Sequence, residues 1–285
     1  MSDPAVRVEI GPARVAVLTI DQPGAKVNVL TAALWAELEA AVDGLAARTD
    51  LAGLIVASGK PGCFIAGADL NLLANATPGD PTVKAFIEQG LRVLAKLEAL
   101  PYPTCAAIDG VALGGGLEVA LACDYRVVGT HPKVQLGLPE GKLGLIPGWG
   151  GTQRLPRIVG WSRAVAMLVS GDAIGTNEAE FLDLVATTVG SGSLIEFACG
   201  MVRGAGPAAW RKERATKQQP AAFNPDQPGP EPESAAAREA VRVVRAGAKL
   251  PLPDAIPLET EAFLRLAGAD ASRAKIAAFF AARKR

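Results

Sequence analysis

Glu118 is the one charged side chain in VALGGGLEVALAC, Val111 to Cys123, a stretch otherwise made of glycine and apolar residues. Three glycines, Gly114 to Gly116, stand just before it. Without Cβ atoms the chain turns sharply there and lets a ligand approach closely. A helix starting at that point adds the unpaired N–H groups and positive dipole end of its first turn. Such a turn suits an anion, or an oxygen on which negative charge develops. Because Glu118 is followed by VALAC, its helix is apolar almost all round and belongs in a core, where a carboxylate is costly unless hydrogen-bonded or held protonated. A buried acid beside free donors suggests acid/base chemistry next to an oxyanion hole. Read alone, the same residues also describe a glycine turn whose carboxylate favours a helix dipole.

Other chemistries find less support. Neither GVALGGG nor PGWGGTQR supplies GxGxxG between a strand and a helix with a suitable acidic residue downstream, so a dinucleotide fold is not indicated. GKLGL lacks the Ser or Thr of a phosphate loop, and GxSxG is absent, which leaves a hydrolase nucleophile elbow unsupported. The one histidine, His131, lies among turn formers in GTHPK and reads as an exposed loop residue, not a triad member. Four cysteines (Cys63, Cys105, Cys123, Cys199) stand far apart without a CxxC pair, so they read as small core residues in a reduced compartment, and no metal site is expected.

The elements that must position these groups alternate. RVAVLTID (Arg14 to Asp21) has the pattern of a strand, and a helix follows with Thr31 as its cap. LAGLIVASG (Leu51 to Gly59) predicts a strand, Pro81 to Leu100 a helix, and TCAAIDGVAL (Thr104 to Leu113) another strand. The glycines then open a helix running to about Cys123. DYRVVG and KVQLG are short strands, and LPEGKLGLIPGWGGTQRLPRIVG is a glycine- and proline-punctuated loop ending in an amphipathic run. This alternation predicts an α/β core over residues 1–192. Residues 193–285 form a helical region, broken by a proline-rich linker or surface segment at 215–234 and continued by helices near Ala235 to Ala246 and Glu259 to Arg285.

At 285 residues, 49% hydrophobic and 20% charged, the chain has material for a large core. Its 29 basic and 29 acidic side chains cancel, so no global field draws it to nucleic acid or to an anionic membrane. MSDPAVRVEI lacks the basic start and apolar run of a secretory signal, and no apolar stretch approaches the ~20 residues of a membrane span. A cytoplasmic location is the expectation.

Taken together, FIAGADL, IDGVALGGGLEVALACDYRV and LGLPEGKLGLIPGWGGTQRLPRIVG resemble the crotonase superfamily, in particular the enoyl-CoA hydratases. The likeness runs from about Val15 to Val189. Its spelling is closest to the hydratase part of the multifunctional fatty-acid-oxidation enzymes, and PLETEAFLRLAGADASRAKIAAFFAARKR is similar to the segment preceding their dehydrogenase domain.

The resemblance implies a spiral of repeated ββα units with a C-terminal helical region, whose helices build a trimer in simple hydratases and cover the protein's own core in the fused enzymes. It implies hydration of trans-2-enoyl-CoA in fatty acid β-oxidation. The alternatives are a Δ3-Δ2-enoyl-CoA isomerase and a non-catalytic acyl-CoA-binding or assembly subunit. The backbone N–H groups of Ala68 and Gly115 match the pair that binds the thioester oxygen. Glu118 and Glu140 match the two catalytic carboxylates, although Glu140, in LPEG, reads by itself as a turn residue after proline. Ala66, Gly67, Ala68, Asp69, Leu70 and Asn71 match the stretch that lines the CoA site.

Lys26 could meet a CoA phosphate or be a solvated surface lysine. Phe279, Phe280, Arg283 and Lys284 are similar to residues touching the adenine end in some relatives, and equally fit an amphipathic helix end. Asp69 and Asp124 read as structural, and Trp149 as shaping the loop near the acyl pocket. No separate cofactor is implied, since CoA enters as part of the thioester substrate. The partners implied are that acyl-CoA thioester and either a homotrimer or a separate dehydrogenase, with no nucleic acid and no membrane. The departure DLVATTVGSGSLIEF and the proline-rich insert leave packing after residue 190 open.

Overall fold

A computed structural model of the protein describes residues 3–283. Its chain runs back and forth between two sheets. The larger sheet has the order β1 (Val6–Ile10), β2 (Val15–Ile20), β3 (Gly53–Ser58), β5 (Thr104–Ile108), β7 (Tyr125–Val128), β9 (Thr187–Thr188). Its first pair is antiparallel and the others are parallel. The smaller sheet is parallel throughout: β4 (Gly62–Ile65), β6 (Gly110–Leu113), β8 (Gln135–Gly137). Strands β3 and β4, then β5 and β6, then β7 and β8 each give one strand to each sheet before the chain turns away. The first two of these pairs lead into helices, α2 (Leu70–Ala74) with α3 (Pro81–Glu98), and α4 (Gly115–Ala122). This is the expected ββα spiral. The central strands are apolar on both faces, as parallel strands covered on both sides must be.

Two expectations change in detail. Thr104 to Leu113 is not one strand: the chain bends at Asp109, so β5 lies in one sheet and β6 in the other. A Cβ on Gly110 would stand 2.0 Å from the Gly62 carbonyl carbon, so the chain passes there only because residue 110 has no side chain. Asp109 Oδ1 fixes the bend by accepting from Ser191 Oγ at 2.7 Å and His131 N–H at 3.3 Å. The helical stretch expected from Glu259 is two helices, α11 (Leu252–Leu266) and α12 (Asp270–Arg283), separated by a turn at Ala267–Ala269. Lys284 and Arg285 lie outside the described residues. Strand β1, which the sequence reading passes over, is an exposed edge with only Val6 partly covered.

Helix α1 (Ala32–Ala46) is capped by Thr31, whose Oγ1 accepts from Leu34 N–H at 3.1 Å. The long segment after β8 is less loop-like than its punctuation suggests. It holds a 3₁₀ turn (Pro139–Leu143) and α5 (Gly151–Val159), and α6 (Trp161–Ser170) follows it. Beyond α7 (Thr176–Phe181) come α8 (Leu194–Gly204), α9 (Pro207–Gln218) and α10 (Ala235–Ala248). Helix α9 takes the first residues of the proline-rich segment, and residues 219–233 form an irregular strap bound to the helices beneath. Ala221 N–H donates to Ala248 O at 2.8 Å, Trp161 Nε1 to Pro228 O at 3.3 Å and Arg245 Nε to Pro225 O at 3.2 Å.

The main core gathers Leu18, Leu54, Phe64 and Trp35, each fully buried, together with Val243, Val244, Phe263 and Ile276 from α10, α11 and α12. Each such apolar side chain contributes about 2 kcal/mol by leaving water. The opposite face of the larger sheet packs Ile55, Cys105, Ala107 and Val127 against Leu194, Ala198 and Val202 of α8. Helix α12 lies against α2 and the 3₁₀ turn, so the chain's own helical region walls the cavity between them.

Candidate active site

Glu118 lies on the inner face of α4, buried on every side. Its Oε1 accepts two backbone hydrogen bonds, from Trp149 N–H and Gly151 N–H, both at 2.7 Å. Its Oε2 is buried without a partner among the described residues. One oxygen anchors the carboxylate and the other is left for chemistry.

Glu140 arrives from the 3₁₀ turn with its backbone in the first turn and its side chain half-buried. Its Oε2 is likewise buried and unpartnered among the described residues. Both carboxylates line one cavity of about 220 Å³. The other walls are apolar and include Leu70, Leu73, Phe86, Ile87, Leu145 and Phe263.

Two residues with backbone donors line the same cavity. Helix α4 starts at Gly115, whose N–H therefore has no partner within the helix. Ala68 sits between two paired neighbours: Leu30 N–H donates to Gly67 O at 2.9 Å and Asp69 N–H to Leu30 O at 3.0 Å. Among the described residues neither the Ala68 nor the Gly115 N–H donates to a backbone carbonyl outside regular elements. Both residues line the cavity.

Asn28 explains how the Ala66–Ala68 stretch is held. Fully buried, it donates through Nδ2 to Ile20 O at 2.9 Å, Phe64 O at 3.0 Å and Ser58 Oγ at 2.9 Å, while its own carbonyl accepts Ala66 N–H at 2.8 Å. Nothing in its sequence neighbourhood marks it except a polar residue between Val27 and Val29.

Burial sets the protonation of these acids. It pushes Glu118 well above the usual carboxylate range; the charges of Glu259 and Glu140 push the same way, and the Gly151 and Trp149 N–H groups oppose them. Glu140 is raised to about 8, again chiefly by burial. Burial thus favours the protonated form of both acids, and at Glu118 two N–H donors oppose it.

Glu259 is a third buried carboxylate that the sequence reading does not single out. It lies on α11 and accepts from Gly150 N–H, from Thr152 N–H at 2.7 Å and from Thr152 Oγ1. The signal for it is spacing: Leu252, Ala255, Glu259, Ala262 and Phe263 share the buried face of an amphipathic helix.

The remaining candidates divide. Ala66, Gly67, Ala68 and Leu70 line the cavity, as do Phe279 and Arg283, whose guanidinium stands 4.3 Å over the Phe279 ring. Asp69 instead caps α2, accepting from Asn71 N–H at 3.0 Å, and Asn71 is exposed. Lys26 is exposed two residues before Asn28 and does not line the cavity. Phe280 packs against the core. His131 is half-buried against Gly62, far from the role of a general base in this cavity. Asp124 is structural: it accepts from Thr104 N–H at 2.8 Å and forms a 2.6 Å ion pair with Arg214.

Trp149 is locked beneath the site. Its Nε1 donates to Ile87 O at 3.1 Å, and its ring meets Trp35 and Phe86 edge-on at 5.2 and 5.1 Å. A Cβ on Gly115 would stand 2.5 Å from that ring, so the indole backs the segment that carries the Gly115 N–H.

The family model described as enoyl-CoA hydratase/isomerase matches residues 11–209. The structure of DspI from Pseudomonas aeruginosa is 32% identical, over 73% of this chain and 84% of that one, with a TM-score of 0.65. An enoyl-CoA hydratase from Bacillus anthracis is 27% identical over 98% of this chain and 97% of that one, with a TM-score of 0.66. An enoyl-CoA hydratase from Mycobacterium avium subsp. paratuberculosis K-10, at 19% identity and a TM-score of 0.73 over 98% and 96%, shares the fold.

Proposed function

The chain belongs to the enoyl-CoA hydratase/isomerase family, and from that premise we propose that it adds water across the double bond of a trans-2-enoyl-CoA thioester, giving a 3-hydroxyacyl-CoA as in fatty acid β-oxidation. The observation carrying this reading is that two carboxylates, each with a buried oxygen unpartnered among the described residues, share one apolar cavity with Ala68 and Gly115, whose N–H groups among those residues donate to no carbonyl outside regular elements.

In the proposed reaction the thioester oxygen lies between the Ala68 and Gly115 N–H groups. Water, held between Glu118 Oε2 and Glu140 Oε2, adds its oxygen to C3 while Glu118 takes its proton. The electron pair of the C2–C3 bond moves toward the thioester oxygen, where the two donors stabilise the charge by about 3 kcal/mol each in a dry site. Glu140 gives its proton to C2. With the water held between the two carboxylates, both act on the same face of the double bond in this proposal, the syn addition that the family resemblance implies. The proton on Glu118 and the vacancy on Glu140 then exchange with solvent. In these roles Glu140, raised to about 8, holds near neutrality the proton it delivers, and at Glu118 two N–H donors favour the charged form against the burial that raises it. In this proposal CoA enters only as part of the substrate, and Arg283 and Phe279, which line the cavity and stack on each other, meet its nucleotide end.

The test is loss of enoyl-thioester absorbance with crotonyl-CoA and a longer 2-enoyl-CoA. Wild type is compared with Glu118→Gln and Glu140→Gln. Turnover in the wild type that falls by about 10²–10⁴-fold in either variant, with thioester binding retained, supports hydration. Binding without turnover on any chain length rejects it, and conversion of a 3-enoyl to a 2-enoyl thioester in its place would assign the isomerase.

A further inference from the structure

Four successive backbone N–H groups divide between two buried acids. Trp149 and Gly151 donate to Glu118, whereas Gly150 and Thr152 donate to Glu259, with the Thr152 hydroxyl adding a third bond. Gly150 turns the backbone between them at φ +94, which aims alternate N–H groups to opposite sides. The segment cannot move relative to one carboxylate without loosening its bonds to the other.

We propose that Glu259 is a positioning residue for Glu118, holding the Trp149–Thr152 segment so that its other two N–H groups fix the Glu118 carboxylate, and adding a negative charge beside it. This rests on the reading of Glu118 as the water-activating base. A simple anchor for α11 could be apolar packing, whereas Glu259 accepts a backbone N–H on each of its two oxygens, which an amide with one accepting oxygen cannot do. Here an acid stands in a fully buried position, and its charge raises two other buried acids.

The charged groups around Glu259 come from four elements. Glu118 on α4 and Glu140 on the 3₁₀ turn are both raised by its negative charge. Arg154 on α5 opposes them and draws Glu259 down. That guanidinium is also committed elsewhere: it pairs with Glu98 of α3 through two 2.8 Å bonds and donates to Trp149 O at 2.7 Å. Arg154 therefore holds the carbonyl of the residue whose N–H holds Glu118. Burial raises Glu259 to about 7, which leaves its charge able to change across the neutral range.

The experiment compares wild type with Glu259→Gln in the full chain. The carboxyl carbon of Glu118 is followed by ¹³C NMR across pH, with Glu118→Gln identifying its signal, and hydration of crotonyl-CoA is measured alongside. Removing the neighbouring charge lowers the Glu118 titration by about one pH unit. The acid limb of kcat moves to lower pH with it, the plateau kcat falls about tenfold and KM stays within about threefold. A purely structural role would change stability and leave both the titration and the limb in place; coincidence of the two titration curves overturns the proposal. If Glu259→Gln does not fold, Thr152→Val removes one donor from Glu259, so that Glu259 keeps its proton to higher pH. Glu118 then titrates lower by a smaller amount, and an unmoved titration again overturns the proposal. A wild type that fails to hydrate rejects the hydratase reading alone, because the Glu118 titration still decides the coupling.

Discussion

Glu140 occupies the space that a side chain at Gly114 would need: a Cβ there would stand 2.6 Å from Glu140 Oε1. Gly114 also adopts φ +52 and ψ −126, a conformation open to glycine and strained for other residues. The same backbone turn thus makes room for one acid and starts α4 at Gly115, which lines the cavity.

Gly114→Ala is expected to lower kcat for hydration by at least about 100-fold, since it displaces Glu140 and tilts an oxyanion donor together. The loss of stability should be about 1–3 kcal/mol. Steady-state kinetics with chemical denaturation checks both, and a variant with wild-type kcat would show that Glu140 is not needed at that place.

Hydration should fall on the alkaline side as pH rises through about 8, where Glu140 loses the proton it must deliver. On the acid side the rate should fall as Glu118 takes up a proton, above the ordinary carboxylate range because burial raises it. A profile of kcat from about pH 5 to about pH 10 reads both limbs. A rate that stays level through the alkaline limb removes Glu140 from the role of acid.

The same burial makes stability depend on pH. Glu118, Glu140 and Glu259 are all raised relative to the unfolded chain. Each raised acid contributes stability that is fully present below its unfolded value, about 4.3, and is lost as pH rises through its folded value. The melting temperature should therefore drop between about pH 5 and about pH 8. Glu118→Gln should drop less, because both N–H donors bond Oε1 and an amide oxygen can accept them without an ionisation. Equal slopes for variant and wild type would count against a buried, raised Glu118.

Asp124 offers the opposite case, stability without chemistry. Its side chain is buried, accepts two bonds from Thr104 and pairs with Arg214, which also donates to Leu100 O and Tyr102 O. Asp124→Ala should cost about 3–5 kcal/mol by stranding the arginine. The folded fraction should keep kcat within about threefold, since Asp124 does not line the cavity. Loss of kcat in fully folded protein would tie this ion pair to the site.

How much of this was readable beforehand depended on where the information sits. Glu118 was visible because a charge in an apolar helix after three glycines is locally anomalous, and the spiral because short apolar segments alternate with helical ones. Glu140 carried no such local signal and needed the resemblance to be singled out. The break inside Thr104 to Leu113 was hidden, as Asp109–Gly110 interrupts the apolar run too briefly for periodicity to register a change of sheet. Glu259 was hidden by the placing of a boundary. Starting the helix at Glu259 makes it a first-turn acid, whereas starting it at Leu252 puts it on the buried face. The donors that hold Glu118 are backbone groups, and no residue type advertises them. Contacts such as Asn28 with Phe64 and Ala66 exist only once distant strands meet.

Thr152 and Glu259 stand 107 positions apart, and that separation has a consequence in time. A ribosome adding about 5–20 residues per second extrudes the glycine turn, Glu140 and the Trp149–Thr152 segment several seconds before the acid that clamps it. Until then the nascent chain carries an open greasy cleft walled by Leu73, Ile87 and Leu145, with Phe263 and Phe279 still to come. Newly made copies are thus most prone to clump, and most in need of a chaperone, in that interval.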